Sequence, residues 1–206
     1  EGLVRPEAGW PVVILSHGIT STKEAMLAIT GILSIQGYAT VAIDQPLHNS
    51  RGFDTDNDGV DDINASTNSA TDYLNLAHLK VARDNLRQSV ADLLGLRIAL
   101  HKIVDTTTGS VVDLNPNEVS LMGVSLGAMT GGNFAGIANS SMGGSLAGLD
   151  YMFSIQTAAL ESPGGAVANF LLESKEFSPL IKSLLTASSS DEFEKFLIEN
   201  QVNPED

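Results

Sequence analysis

Hydrophobic and polar positions along the chain fall into blocks that predict strands and helices in alternation. Residues 11–16 and 38–43 are continuous apolar runs, the pattern of strands covered on both faces. Between them, apolar residues recur at helical spacing after a capping box at 21–24, and Gly37 ends that helix. A strand, a helix and a strand at this spacing form a βαβ unit, so we expect a parallel sheet.

The alternation continues in the second half of the chain. Thr71 or Asp72 is expected to cap a long helix in which apolar residues recur at helical spacing. The apolar run 119–122 predicts another buried strand, a helix rich in glycine and alanine follows over 126–138, and a last strand is predicted over 151–159. The fold class is therefore α/β, with a mostly parallel sheet and flanking helices.

The strand at 119–122 runs into the sequence Gly-x-Ser-x-Gly, formed by Gly123, Ser125 and Gly127. A serine on a tight turn from strand to helix has strained backbone angles, and the glycines leave room for neighbouring backbone. The turn also sets the serine at a helix N-terminus, where N–H groups and the helix dipole can stabilise an oxyanion. Ser125 is the candidate nucleophile, and the alternative interpretation is a tight structural turn.

Residues 49–71 form a polar loop that contains the run Asp-x-Asp-x-Asp-Gly, which ends at Gly59. This run matches the first half of an EF-hand calcium loop, but Ala65 stands where that loop requires a bidentate glutamate. Asp61 and Asp62 could close a shorter loop of another type instead. We predict a structural Ca²⁺ here, against the alternative of a solvated acidic loop. The candidate ligands are Asp54, Asp56, Asp58 and Asp62.

Composition narrows the class of protein. The chain has 206 residues, of which 43% are hydrophobic and 17% charged, so a folded domain with a substantial core is expected. A net charge of −14 without a basic cluster argues against nucleic acid as a partner. No apolar run approaches the roughly 20 residues of a transmembrane helix. The absence of cysteine excludes a disulfide, a thiolate metal site and a cysteine nucleophile within this sequence.

The order strand, His-Gly-Ile at 17–19, helix, strand, elbow and strand resembles the α/β-hydrolase fold over residues 11 to about 165. The His-Gly-x segment resembles the oxyanion-hole motif of bacterial lipases. More narrowly, the segments 44–48, 82–88 and 123–127, taken with the acidic loop, resemble extracellular virulence-factor lipases of marine and enteric Gram-negative bacteria.

This resemblance implies a role for each matching residue. Ser125 would attack an ester carbonyl, and the main-chain N–H groups of Ile19 and Leu126 would hold the oxyanion. His17 and Gly18 would support the loop that carries Ile19, so His17 would not be the general base. Gly123 and Gly127 would support the elbow.

One departure from the family pattern concerns the base. The hydrolase order is serine, then acid, then histidine, whereas the four histidines all precede Ser125. The predicted sheet is also short by at least two strands. We therefore expect a chain truncated after Asp206, with the triad acid and histidine in the missing part, and truncated before Glu1 as well. The alternatives within the chain are His48 as base and Glu161 as acid.

We divide the chain into an α/β core over residues 1–165 and a helical segment over residues 166–206, which would serve as a cap or lid or as ordinary packing. The expected function is a serine carboxylic ester hydrolase acting on lipids, a lipase or phospholipase at the extracellular side or outer-membrane surface of a Gram-negative bacterium. An acyltransferase or thioesterase would use the same serine. The alternative from another class is a catalytically inert, calcium-dependent surface-binding module on a hydrolase scaffold.

Overall fold

The structure is a computed structural model that describes residues 3–75, 78–105 and 107–165, with a few positions beyond them at 169, 172–175, 178–179 and 181–182. The predicted helical segment 166–206 therefore lies almost entirely outside the described residues.

Among the described residues, parallel strands form one sheet in the order β2–β1–β3–β4. The strands are β1 (Trp10–Ser16), β2 (Ala39–Ala42), β3 (Leu114–Val124) and β4 (Thr157–Glu161). Since all four strands run in one direction, their carboxyl ends lie along the same edge of the sheet, where open α/β sheets bind ligands.

Helices cover both faces of this sheet. They are α1 (Leu27–Ile35), α2 (Ala70–Tyr73), α3 (Leu79–Ala99) and α4 (Leu126–Ala138), with 3-10 helices at Lys23–Met26 and Gly144–Met152 among others. In β1, Val12 and Ile14 pack in a core cluster with residues of α3 and α4, whereas Val13 and Leu15 pack towards α1. Because neighbouring strand residues point to opposite faces and both faces are covered, β1 is apolar throughout.

Several predicted element boundaries are wrong. The strand expected over 119–122 already begins at Leu114, and Thr22, rather than the first residue of the predicted capping box, is the N-cap of the first helical segment. The helix expected to start at Thr71 or Asp72 is a single short helix, α2, capped by the hydroxyl of Ser69, and the long helix α3 begins only at Leu79. The strand predicted over 151–159 begins at Thr157, since Tyr151 belongs to a 3-10 helix.

Arg97 contacts the segment where this strand was predicted to begin. The residue is only 1% exposed, and its guanidinium donates hydrogen bonds to the carbonyls of Pro116, Tyr151 and Ser154 at 2.9, 3.2 and 3.0 Å. The carbonyls of Tyr151 and Ser154 thus bond a buried cation, and β4 pairs with β3 from Thr157 onward.

Within the described part of the chain, no helix has both the length and the apolar character needed to cross a membrane.

Candidate active site

Ser125 stands on the turn between β3 and α4. Its backbone angles, φ 52° and ψ −117°, lie in a region that residues with a Cβ rarely adopt. The main-chain N–H of Ser125 donates to the carbonyl of Glu161 at 2.9 Å, so the turn is fixed to the end of β4. The serine is only partly buried. A partly exposed side chain on such a turn can be reached by a substrate.

The two motif glycines are required by space. A Cβ on Gly123 would lie 2.4 Å from the carbonyl oxygen of Gly127, and a Cβ on Gly127 would lie 2.1 Å from the carbonyl oxygen of Ser16. Both distances are far below van der Waals contact with rigid backbone. The glycines therefore allow β1, the elbow and the first turn of α4 to approach each other closely.

The loop after β1 lies directly beside the candidate nucleophile. A Cβ on Gly18 would be 3.4 Å from the Cβ of Ser125 and 3.9 Å from its Oγ. The side chains of Ile19 and Leu126 pack in one apolar cluster with Ala65 and other residues. The structure thus brings together the residues that the sequence predicted for the nucleophile and the oxyanion hole, whose catalytic roles stay predictions.

His17 is fully buried and both of its ring nitrogens are engaged. Nε2 accepts a hydrogen bond from the main-chain N–H of Gln45 at 3.0 Å, so the ring proton is on Nδ1, which donates to the carbonyl of Gly18 at 2.8 Å. Burial lowers the pKa of His17, which favours the neutral ring. These bonds leave His17 no free nitrogen with which to accept a proton from a serine.

The same hydrogen bonds orient the peptide group between Gly18 and Ile19. The carbonyl of Gly18 faces the His17 ring and also accepts the N–H of Ser21 at 3.2 Å. In a trans peptide the N–H points opposite to the carbonyl, so the N–H of Ile19 points away from these partners. It makes no hydrogen bond with any described residue. The N–H of Leu126, at the start of α4, has no partner within its helix. Two unpaired donors near a serine can stabilise an oxyanion.

All four histidines fall within the described residues, and none of them hydrogen-bonds Ser125. His48 is fully buried, its Nδ1 donates to the carbonyl of Pro46 at 2.8 Å, and its Nε2 has no partner among the described residues. Burial lowers the pKa of His48 as well. Nε2 of His101 accepts a hydrogen bond from the Arg97 guanidinium at 3.2 Å, and His78 lies immediately before α3.

Two carboxylates lie near this edge of the sheet. The side chain of Glu161 is exposed, and only its main-chain carbonyl contacts Ser125. Asp44, after β2, is buried and accepts from the ammonium of Lys23 at 2.5 Å and from the hydroxyl of Ser50 at 2.6 Å. Burial alone would raise the pKa of Asp44, but these hydrogen bonds outweigh it and hold the pKa well below its usual range.

Asp44 and Gln45 lie in a segment that resembles a lipase motif, but neither residue was predicted to have a role at the site. The available signal was position, since a polar residue directly after a buried parallel strand lies at the edge where sites form.

The acidic loop gathers three of its four candidate ligands. Carboxylate oxygens of Asp54, Asp56 and Asp58 lie within 4.8 Å of one another, and Gly59 has φ +91°, which glycine adopts without strain. The carboxylate of Asp62 instead accepts from the N–H of Thr55 at 2.8 Å and from its hydroxyl. Three hard oxygen donors of this kind suit Ca²⁺, which takes six to eight oxygens, the rest coming from main chain or water.

Residues at the end of the acidic loop are hydrogen-bonded to segments near the candidate active site. The hydroxyl of Ser66 donates to the carbonyl of Ser21 at 2.8 Å, and the N–H of Ala65 donates to the carbonyl of Leu47 at 2.6 Å. Asn64 also receives the N–H of Asn49 at 3.1 Å. The loop is therefore attached to the segments that follow both β1 and β2.

Comparison with known proteins places the fold. No protein-family model and no curated protein matches the chain. Among solved structures, it is similar to a C6-C4 SN3 inhibited esterase B from Lactobacillus rhamnosis, with a TM-score of 0.51 and 18% identity over 96% of this chain and 52% of that chain. It is also similar to TT1662 from Thermus thermophilus, with a TM-score of 0.42 and 13% identity over 88% of this chain and 64% of that chain.

The parallel sheet, its flanking helices and the likeness to the esterase together give an α/β-hydrolase fold, as the sequence predicted. The chain spans about half the length of that esterase. At this level of identity the likeness is one of fold alone.

Proposed function

We propose that this chain carries the nucleophile and oxyanion hole of a serine carboxylic ester hydrolase that acts on lipid esters, a lipase or phospholipase. The observation that carries the proposal is the strained turn at Ser125, with the main chain of Gly18 packed beside its hydroxyl. Strain of about 1–3 kcal/mol persists only where the surrounding structure imposes it, and such positions cluster at active sites.

In this proposal Oγ of Ser125 attacks the ester carbonyl carbon, and the electron pair of the C=O bond moves to the oxygen. The N–H groups of Ile19 and Leu126 donate to that oxyanion. A base takes the hydroxyl proton and passes it to the departing alcohol, and water then hydrolyses the acyl-enzyme with the same base.

We place that base, and its acid partner, outside these 206 residues. The support is the state of the histidines. His17 has both nitrogens engaged, His101 pairs with Arg97, and among the described residues neither His48 nor His78 hydrogen-bonds the serine. His48 is the rival within the chain, because its Nε2 is unpaired among the described residues.

Lipid as the substrate class is supported by the apolar surroundings of the nucleophile and by the motif likeness to virulence-factor lipases. Ile19 and Leu126, the residue after the serine, pack with Tyr73 and Ala65 in one apolar cluster. The same motif likeness is the basis for proposing an extracellular or outer-membrane location in a Gram-negative bacterium.

A second candidate function is a catalytically inert module that binds a surface in the presence of calcium. It is favoured by the grouping of Asp54, Asp56 and Asp58 and by the lack of a basic partner for Ser125 among the described residues. In both proposals Ca²⁺ is structural, and it would neutralise the carboxylates that otherwise repel one another.

Fluorophosphonate labelling, read by intact mass and peptide mapping, tests the nucleophile. The full-length gene product is compared with residues 1–206 and with Ser125→Ala in each. Labelling at Ser125 in the full-length protein alone supports a base outside these residues. Labelling in both forms supports a base within residues 1–206, for which His48 is the first candidate. Labelling in neither form contradicts the hydrolase and favours the binding module.

The substrate class is tested separately on the full-length protein. Initial rates on emulsified long-chain esters are compared with rates on soluble short-chain esters of the same alcohol. A preference for the short esters would contradict a lipid substrate while leaving the hydrolase itself intact.

A further inference from the structure

Gln45 holds His17 from two sides. Its main-chain N–H donates to Nε2 of the His17 ring at 3.0 Å, and its side-chain amide Nε2 donates to the main-chain carbonyl of His17 at 2.6 Å. Gln45 directly follows the short connection from β2 and is only 5% exposed. One residue therefore fixes both the ring and the backbone of His17.

The far side of the His17 carbonyl is closed by the nucleophile's helix. A Cβ on Gly127 would lie 2.6 Å from that carbonyl oxygen, so the peptide of His17 packs against the first turn of α4. The position of His17 is thus set by the Gln45 amide on one side and by α4 on the other. The next two residues are Gly18, beside the Ser125 hydroxyl, and Ile19, with its unpaired N–H.

The amide of Gln45 is oriented by its partner. The His17 carbonyl can only accept, so the NH₂ group must face it, and Oε1 is left buried without a partner among the described residues. A buried acceptor with no partner is destabilising, which offsets part of what the hydrogen bond to the His17 carbonyl contributes. The specific effect of the Gln45 side chain is therefore the restraint that it places on His17.

We propose that Gln45 is a positioning residue for the oxyanion hole, acting through His17 to hold the 17–19 segment and so the N–H of Ile19 beside Ser125. This inference rests on the proposed ester hydrolase and deepens it. Gln45 does not touch the substrate. Its side-chain amide restrains the carbonyl of His17. Its main-chain N–H donates to Nε2 of His17, so the ring proton is on Nδ1 and donates to the Gly18 carbonyl, which therefore points away from the site.

The first test uses Gln45→Met in the full-length protein, with Gln156→Met as the matched control. Gln156 also donates its side-chain amide to a main-chain carbonyl, that of Asn117 at 3.3 Å, but it lies just before β4 at the opposite end of the strands. We expect the second-order rate constant for fluorophosphonate labelling to fall about tenfold or more in Gln45→Met. The control should stay within about twofold of wild type, and every variant is labelled at a temperature well below its own thermal midpoint, so that a loss of stability in Gln45→Met does not affect the rate.

The second test uses Gln45→Glu and the pH profile of labelling. A neutral carboxyl can donate its O–H to the His17 carbonyl, whereas a carboxylate cannot. Burial raises the pKa of such a carboxyl above its usual value of about 4.3. The rate of Gln45→Glu relative to wild type should therefore recover as the pH is lowered, while the ratio for Gln45→Met stays flat. His17, His48 and Asp44 are the titratable neighbours, and dividing by the wild-type rate removes their shared effect.

Hydrogen exchange gives a readout that does not depend on activity. The N–H of Ser21 is protected by the Gly18 carbonyl and the N–H of residue 45 by the His17 ring. Both should exchange faster in Gln45→Met than in the control.

The outcomes separate the two proposals. Normal labelling of Gln45→Met with a labelled wild type overturns the positioning role and leaves the hydrolase standing. An unlabelled wild type overturns the hydrolase, and the positioning role falls with it. With a labelled wild type, slower labelling of Gln45→Met together with faster exchange at Ser21 supports the positioning role, and unchanged exchange at Ser21 overturns it.

Discussion

The carbonyl oxygen of His17 lies 2.6 Å from the position that a Cβ on Gly127 would occupy. The backbone that follows β1 therefore packs directly against the first turn of the helix that begins after the nucleophile. The sequence motif that carries the serine is therefore matched in three dimensions by a second motif, His-Gly-Ile, more than a hundred residues earlier in the chain.

Gly127→Ala should destabilise the protein strongly, because its methyl group would collide with rigid backbone of β1. We expect a loss of about 2–4 kcal/mol in the free energy of unfolding. Gly136→Ala is the matched control on the same helix, since a Cβ there meets nothing within 4 Å. It should be neutral or stabilising by up to about 1 kcal/mol. Urea unfolding of both variants measures the difference, and equal stabilities would contradict the close packing.

Ser125→Gly should be more stable than Ser125→Ala by about 1 kcal/mol. Neither variant has a nucleophile, but glycine adopts φ 52° and ψ −117° without the strain that a Cβ brings. Part of the gain is offset by the greater freedom of glycine in the unfolded chain. The thermal midpoints of the two variants test this directly, and a less stable Ser125→Gly would mean that the turn is not strained.

Millimolar Ca²⁺ should raise the thermal midpoint if the acidic loop binds it, because a ligand held only by the folded state stabilises that state. A gain of about 1 kcal/mol corresponds to a rise of roughly 2–4 °C for a domain of this size. The rise should vanish in Asp56→Ala with Asp58→Ala and persist in Glu118→Ala, which removes an exposed carboxylate from β3. The same midpoint with and without Ca²⁺ in the wild type would rule out the site.

Stability should fall as the pH is lowered below about 6.5, the usual pKa of histidine. Burial lowers the pKa of both His17 and His48, so in this window the unfolded chain binds protons that the folded chain does not. Each histidine contributes a slope of up to about 1.4 kcal/mol per pH unit, which ends once the pH falls below its folded pKa. Asp44, with its lowered pKa, adds its own loss only below about pH 3.9.

His48→Asn isolates one of these terms, because the asparagine amide can still donate to the Pro46 carbonyl. The free energy of unfolding, measured with urea at about pH 5, 6 and 7.5, should depend less steeply on pH in His48→Asn than in wild type. The two slopes should become equal towards the highest pH, where the histidine is neutral in both the folded and the unfolded chain. An unchanged slope would show that His48 is not held neutral in the folded protein.

The elbow, the loop after β1 and the strands of the sheet could be predicted because each is indicated by residues close together in the sequence. Gly123, Ser125 and Gly127 act within one turn, and the apolar run of β1 indicates burial on both faces. The hydrogen bonds of Gln45 and Arg97 could not be predicted, because their partners lie 28 and up to 57 residues away.

The hydrogen bond between Ser66 and Ser21 couples the acidic loop to residues 17–21, the segment that carries the N–H of Ile19. The N–H of Ala65 also donates to the carbonyl of Leu47, so residues 64–66 can separate from the sheet only if both hydrogen bonds break. Local opening would then be a single cooperative event that includes the loop and residues 17–21. A substitution that weakens the contacts of residues 64–66 would therefore also loosen the segment that carries the N–H of Ile19, although it lies far from that segment in the sequence.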